Sequence, residues 1–183
     1  MFTSARERRL WGWAIAAVAA VYAGLVPGPA LAGVLRDNGL LEALFVLGAL
    51  LVVSAVVALG LRVKPAGVEI GVALGVGAAY LMVLARMAVP EERTHLIEYG
   101  VIAALVHEAL TERAGQEGRV PFPGLLAVLV TAVIGLADEA VQRLLPSRVF
   151  DIRDVGFNAL AGLMAVPAKS AFRRARRRRG LTR

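Results

Sequence analysis

The chain has no cysteine, which excludes disulfides, thiol catalysis and thiolate metal sites. That absence leaves the redox compartment open. Histidine is almost as scarce: only His95 and His107 occur. Carboxylates with a His could hold a divalent cation, but no HExxH or similar contiguous metal motif is present, so no metal site and no cofactor are expected. No internal repeat is evident. Charge is thin through most of the chain and gathers at the ends, in the turns and in one segment, Asp138–Asn158 (DEAVQRLLPSRVFDIRDVGFN). What remains is strongly apolar: 58% hydrophobic residues and a mean hydropathy of +0.67.

Such apolar content is too continuous for an ordinary soluble domain. A bilayer-spanning helix needs about 20 mostly apolar residues. Six stretches approach that, at 10–31, 39–61, 67–89, 94–110, 124–145 and 154–172. The fourth and sixth are shorter and more polar, and need packing partners or a tilted span. None alternates with the period of two that barrel strands require. Backbone polar groups in lipid must be satisfied internally, which leaves helices. The expected fold is therefore an all-α, polytopic bundle of about six transmembrane helices in a single domain over residues 1–183, with a basic tail at 173–183.

The positive charges orient that bundle. With the amino terminus inside, 15 of the 21 Lys and Arg residues fall on the inner side. The positive-inside rule then predicts both termini in the cytoplasm. The tail RRARRRRGLTR directly follows an apolar stretch, so attraction to anionic headgroups explains it better than nucleic acid does. Ala30-Leu31-Ala32 resembles a signal-peptidase site, but the apolar run before it is long for a signal peptide, and the first helix is expected to be retained.

Prolines punctuate the chain. Pro27 and Pro29 are expected to end the first helix, and Pro146 the fifth. Arg62-Val63-Lys64-Pro65 reads as a tight inner turn. Pro90, followed by Glu91 and Glu92, suits the start of the fourth helix. Residues 111–123 read as the longest polar connection. Gly71 and Gly75 form a small-xxx-small face for helix packing.

Polar groups inside a membrane are costly and usually functional. Residues three or four apart share a helical face. Asp138 and Gln142 share one, with Glu139 adjacent; His95, Glu98 and Tyr99 share another; Asp154, Asn158 and Gly162 align on a third. All three groups approach the outer side in this topology, joined there by Arg148 and Asp151. Two nearby carboxylates repel, so one is a candidate for proton transfer. Arg148 could neutralise them or grip a phosphate with its forked guanidinium. Bland roles compete. Asp151 and Asp154 suit a helix cap and an acidic first turn. Asn158 could bond across helices, and Tyr99 could anchor at the interface. His107 and Glu108 read as interfacial and solvated. Glu42 and Glu69 sit near helix ends, where carboxylates reach water.

The runs RTHLIEYGVIAAL and DEAVQRLLPSRVFDIRDVGFNALAG resemble the VanZ-like family of bacterial membrane proteins. Matching positions are His95, Glu98, Tyr99, Asp138, Glu139, Gln142, Pro146, Arg148, Asp154, Asn158 and Gly162, spanning about residues 90–165. Pro-Ser-Arg replaces the commoner Pro-Gly-Arg, and Pro167 should bend or end the sixth helix. The first two helices carry no family signature. The resemblance implies a multi-pass protein of the bacterial cytoplasmic (inner) membrane, linked to low-level resistance to the glycopeptide teicoplanin. It brings no settled reaction.

Three functions compete. The first is binding of an envelope molecule, an envelope lipid or a lipid-linked or glycopeptide-type ligand, through Glu98, Tyr99, Gln142, Arg148, Asp151, Asp154 and Asn158. The second is an intramembrane enzyme acting on a lipid headgroup, with His95, Asp138 and Glu139 as acid or base. The third is a small proton-coupled transporter, against which the inner half of the fifth helix offers only Thr131. A purely structural role is the fourth possibility. Oligomeric state is not legible.

Overall fold

The first helix begins at a cap written plainly in the sequence Ser4-Ala5-Arg6-Glu7. In a computed structural model of the chain, the Ser4 hydroxyl accepts the Glu7 N–H at 3.0 Å, and the Glu7 carboxylate accepts both the N–H and the hydroxyl of Thr3 at 2.7 Å. These bonds satisfy donors that a helix start leaves orphaned. The structure describes residues 2–44, 46–48, 50, 54, 67–86, 90–118, 120–145 and 152–178; for 90–92, 95, 117 and 172–178 it describes the backbone alone.

All regular structure among the described residues is helical, as expected. The helices are α1 (Ala5–Gly24), α2 (Pro27–Asp37), α3 (Gly67–Arg86), α4 (Pro90–Glu117), α5 (Pro123–Gln142) and α6 (Ile152–Arg178). Residues 41–44, 46–48, 50 and 54 are also helical. The rest of the second apolar stretch and the turn at 62–65 lie outside the described residues.

Three boundaries differ from the sequence expectation, and a fourth does so in part. Pro27 and Pro29 do not simply end the first helix: α1 stops at Gly24, and the prolines open α2 at a 64° bend. Proline fits there because the N–H it lacks would have no partner in a first turn. Residues 111–117 belong to α4 rather than to a polar connection, which shrinks to 118–122. Gly118 stops α4 at a φ of +63°, its N–H donating to the Ala114 carbonyl at 3.0 Å; glycine adopts that left-handed geometry at little cost. α5 ends at Gln142, earlier than expected, and Pro146 lies outside the described residues. Pro167 sits inside α6 without ending it. An interior proline costs about 3 kcal/mol. The turn beyond it is held to α4, where the Lys169 ammonium reaches the Glu108 carboxylate at 3.2 Å and the Ala104 carbonyl at 3.4 Å.

α4 is the central element. It packs against α1, α5 and α6, while α3 packs against α6. Its Leu96, Tyr99, Ile102, Ala103 and Val106 are buried at helical spacing, against Ala14, Ala127 and Ala161 of its neighbours. Small partners let the helices approach closely. Gly135 is the tightest point: a Cβ there would lie 2.7 Å from the Asn158 Cβ. Gly71 and Gly75 make no such contact, since a Cβ at either would meet nothing within 4 Å among the described residues.

α5 is inside out by the standards of a water-soluble helix. Its buried face is Ala127, Thr131, Gly135, Asp138, Glu139 and Gln142, while Leu125, Leu129, Val133 and Leu136 are exposed. That arrangement suits an apolar solvent. Among the described residues α3 and α5 are each long and apolar enough to cross a membrane, and the bent pair α1–α2 makes a third if it counts as one span. The fold is thus an all-α bundle with two or three candidate spans, compatible with a membrane protein.

Candidate functional site at one end of the bundle

The two ends of the bundle carry different polar chemistry. At one end, α1 begins where α4 and α6 approach their ends. Arg6 contacts Glu108 at 3.1 Å and Glu112 at 3.0 Å. Ser4 donates its hydroxyl to Glu112 at 3.0 Å. Arg113 approaches Glu7 at 3.7 Å, and Lys169 completes the group on Glu108. Each carboxylate here has a cation. Glu7 precedes the apolar run that starts at Leu10. Its burial alone would raise its carboxyl, but the Thr3 N–H and hydroxyl and the Arg113 charge outweigh that and hold it below the usual carboxylate range.

Tyr99 and Glu112 are 13 residues apart on α4, about 20 Å at 1.5 Å per residue. At the Tyr99 level lies the second polar layer. Asp138, Glu139 and Gln142 share the buried face of α5 and are almost wholly inaccessible, at 0%, 0% and 1% exposure. The Gln142 amide donates to Asp138 Oδ2 at 3.0 Å and to Glu139 Oε1 at 3.3 Å. One side-chain amide therefore bridges the acidic pair, as (i, i+4) and (i, i+3) spacing allows. Asp138 lies about one turn from the end of its helix, because α5 stops at Gln142.

Three other helices complete this layer. The Tyr99 phenol of α4 is buried beside the Asp138 carboxylate, with Tyr22 and Glu98 in electrostatic range. Burial removes the interfacial-anchor reading of Tyr99. Tyr22, from α1, also feels Asp138 and donates to the Ile134 carbonyl at 3.4 Å. From α6, Asn158 lies over Gly135, one turn below Asp138, with its Nδ2 2.8 Å from where a Gly135 Cβ would be. Asp154, half-buried in the first turn of α6, shares the Asn158 face by its (i, i−4) spacing.

Satisfaction is incomplete in this layer. The Tyr99 hydroxyl is directed at the Asp138 carboxylate. Asp138 Oδ1 lacks a bond of good geometry, and both amide atoms of Asn158 are buried without a hydrogen-bond partner among the described residues. Among the described residues Asn158 thus makes no cross-helix bond, which was its bland alternative. Each such atom costs about 1–3 kcal/mol. Thr131, further along the same face, donates its hydroxyl to the Ala127 carbonyl of its own helix at 2.8 Å, so its polar atom is spent locally.

Of the sequence-predicted set, Tyr99, Asp138, Glu139, Gln142 and Asn158 are buried in one layer, with Glu98 and Asp154 half-buried at its edge. The His95 backbone lies one turn before Tyr99 on α4; its side chain, with Arg148 and Asp151, lies outside the described residues. Sequence reasoning missed Tyr22, whose signal was a lone hydroxyl in a run of Ala, Val and Leu. It also misjudged three groups. His107 is buried rather than solvated, its Nε2 3.9 Å from a Cβ position at Gly124. Glu108 is paired rather than merely hydrated, and Glu69 is buried rather than at the water. No group of three or more metal-ligating side chains occurs among the described residues. No family model, curated protein or solved structure matches the chain.

Proposed function

We propose that the chain is a VanZ-like, multi-pass protein of the bacterial inner membrane whose outer-facing polar layer binds an envelope lipid or glycopeptide-type ligand. In this reading all six apolar stretches cross the bilayer, with both termini in the cytoplasm. The paired charged end takes the inner headgroup level. The layer of Asp138 and Tyr99 then lies about 20 Å deeper into a hydrocarbon core about 30 Å thick, within reach of the outer surface. Support comes from residues of three separate parts of the motif that are buried together: Tyr99, the Asp138–Glu139–Gln142 group, and Asn158.

One observation carries the reading. The Asn158 amide is buried with no partner among the described residues, and Asp138 Oδ1 lacks a bond of good geometry beside Tyr99. At the other end each carboxylate has a cation, although the Thr111 hydroxyl there is also buried without a partner among the described residues. Groups that cost stability in the unliganded protein are explained by a ligand that satisfies them. Arg148 and Asp151, which lie outside the described residues, belong to the same reading through the sequence alone.

The test is saturable binding of a lipid-anchored glycopeptide to purified protein in nanodiscs. Asp138→Asn, which keeps the shape and removes the charge, should weaken it at least tenfold, and Arg148→Ala should weaken it too. Binding that is non-saturable, or that in both variants equals the wild type, contradicts the reading.

A further inference from the structure

The unsatisfied atoms of the polar layer specify more than a polar ligand. Asp138 Oδ1 is an acceptor with lone-pair capacity left beside the Tyr99 hydroxyl that approaches this carboxylate. The Asn158 amide offers one acceptor and one pair of donors, and exchanging its O and N leaves that inventory unchanged. Both residues are 0% exposed, and they come from different helices. Gly135 is what lets the Asn158 amide lie against α5 beside the acidic turn, since any Cβ would occupy its place.

Candidate ligand chemistries divide on this inventory. An ammonium group donates to Asp138 and to the amide oxygen, but leaves the amide N–H groups without an acceptor. A phosphate accepts from the amide, but sets negative charge against Asp138 in a low-dielectric layer. A hydroxyl donates and accepts at once. It can give its proton to Asp138 Oδ1 and take one from Asn158 Nδ2. Adjacent hydroxyls repeat that match toward Glu139 and the Gln142 amide, which already form an acceptor–donor pair. The Tyr22 and Tyr99 rings flank the same layer, and aromatic faces suit the apolar C–H side of a sugar ring.

We propose that the ligand of this layer presents a hydroxylated headgroup, a glycosyl or polyol unit, whose hydroxyl bridges Asp138 Oδ1 and the Asn158 amide. The proposal rests on the envelope-ligand reading above and narrows it to one headgroup class. A single ordered water has the same donor–acceptor character, so the experiment must separate a ligand hydroxyl from a trapped water.

Lipids with one acyl composition and different headgroups supply that separation. Protein in detergent would be titrated with glucosyl-diacylglycerol, phosphatidylethanolamine, phosphatidylglycerol and unsubstituted diacylglycerol, with binding read by native mass spectrometry. Glucosyl-diacylglycerol should bind at least tenfold more tightly than each of the others. Asn158→Leu, matched in shape, and Asp138→Asn should each bring it to within about twofold of diacylglycerol, while thermal unfolding shows both variants folded. Glucosyl binding unchanged in Asn158→Leu would mean that the amide holds only water, and would overturn the proposal. A preference for phosphatidylglycerol that Arg148→Ala abolishes would overturn it too, while leaving the envelope-ligand reading intact. If no headgroup improves on diacylglycerol, the envelope-lipid reading and this proposal fall together.

Discussion

The two polar ends of this bundle hold their carboxylates in different ways. At the end where α1 begins, Glu7, Glu108 and Glu112 each face a cation, and Ser4 serves both as helix cap and as hydrogen-bond donor to Glu112. At the other end, Asp138 and Glu139 share one amide, and the Asn158 amide beside them has no partner among the described residues. The paired end ties the amino terminus to helices more than 100 residues away. The buried Asn158 amide costs stability. The difference separates carboxylates neutralised by cations from carboxylates held by an amide and flanked by an unsatisfied one.

Breaking the close approach of α5 and α6 should have the largest effect. Gly135→Ala puts a methyl group 2.7 Å from the Asn158 Cβ, which backbone packing cannot absorb without a shift. Overpacking of this kind typically costs about 1–3 kcal/mol. The upper end is expected, as a lowered midpoint in thermal or steric-trap unfolding. Ser4→Ala should come next, removing the cap on Glu7 and the bond to Glu112 for about 1–2 kcal/mol.

Asn158→Leu sharpens the comparison because its sign is reversed. Exchanging an unsatisfied amide for an apolar side chain of similar shape is neutral or stabilising, by up to about 1 kcal/mol. Arg6→Ala should cost less than about 1 kcal/mol, because Arg6 is 59% exposed and exposed pairs are screened. That loss should shrink further in high salt. The smallest effect is a pH dependence from Glu7. Its folded carboxyl lies below its ordinary value of 4.5, so the stability it adds is complete above that value and fades as pH falls through the depressed one. An unfolding series from pH 6 to pH 3 should show that loss in the wild type and not in Glu7→Gln.

Legibility in the sequence followed this division. The buried face of α5 was readable because Asp138, Glu139 and Gln142 interrupt an apolar run at helical spacing, and Tyr99 and Asn158 stand out for the same reason. Membrane cost makes a lone polar residue conspicuous. The paired end was not readable. Arg6, Glu108, Glu112, Arg113 and Lys169 lie where charges are common, and nothing in local spacing says that Arg6 meets Glu108. Helix ends failed for a related cause. Residues 111–117 look like a linker until their charges find partners on α1, and Pro167 leaves bend and stop both open until Lys169 is seen to anchor the turn beyond it. Tyr22 was hidden because one hydroxyl in an Ala- and Val-rich helix has no neighbour in sequence to signal its role.

The most direct test of the account is a paired measurement on Asn158→Leu, with unfolding free energy and glycosyl-lipid affinity taken from the same preparation. The account predicts stability equal to or above the wild type, together with at least a tenfold loss of affinity. A variant that loses stability as Ser4→Ala does, while binding as the wild type does, would place Asn158 with the residues that hold the fold and would contradict the account.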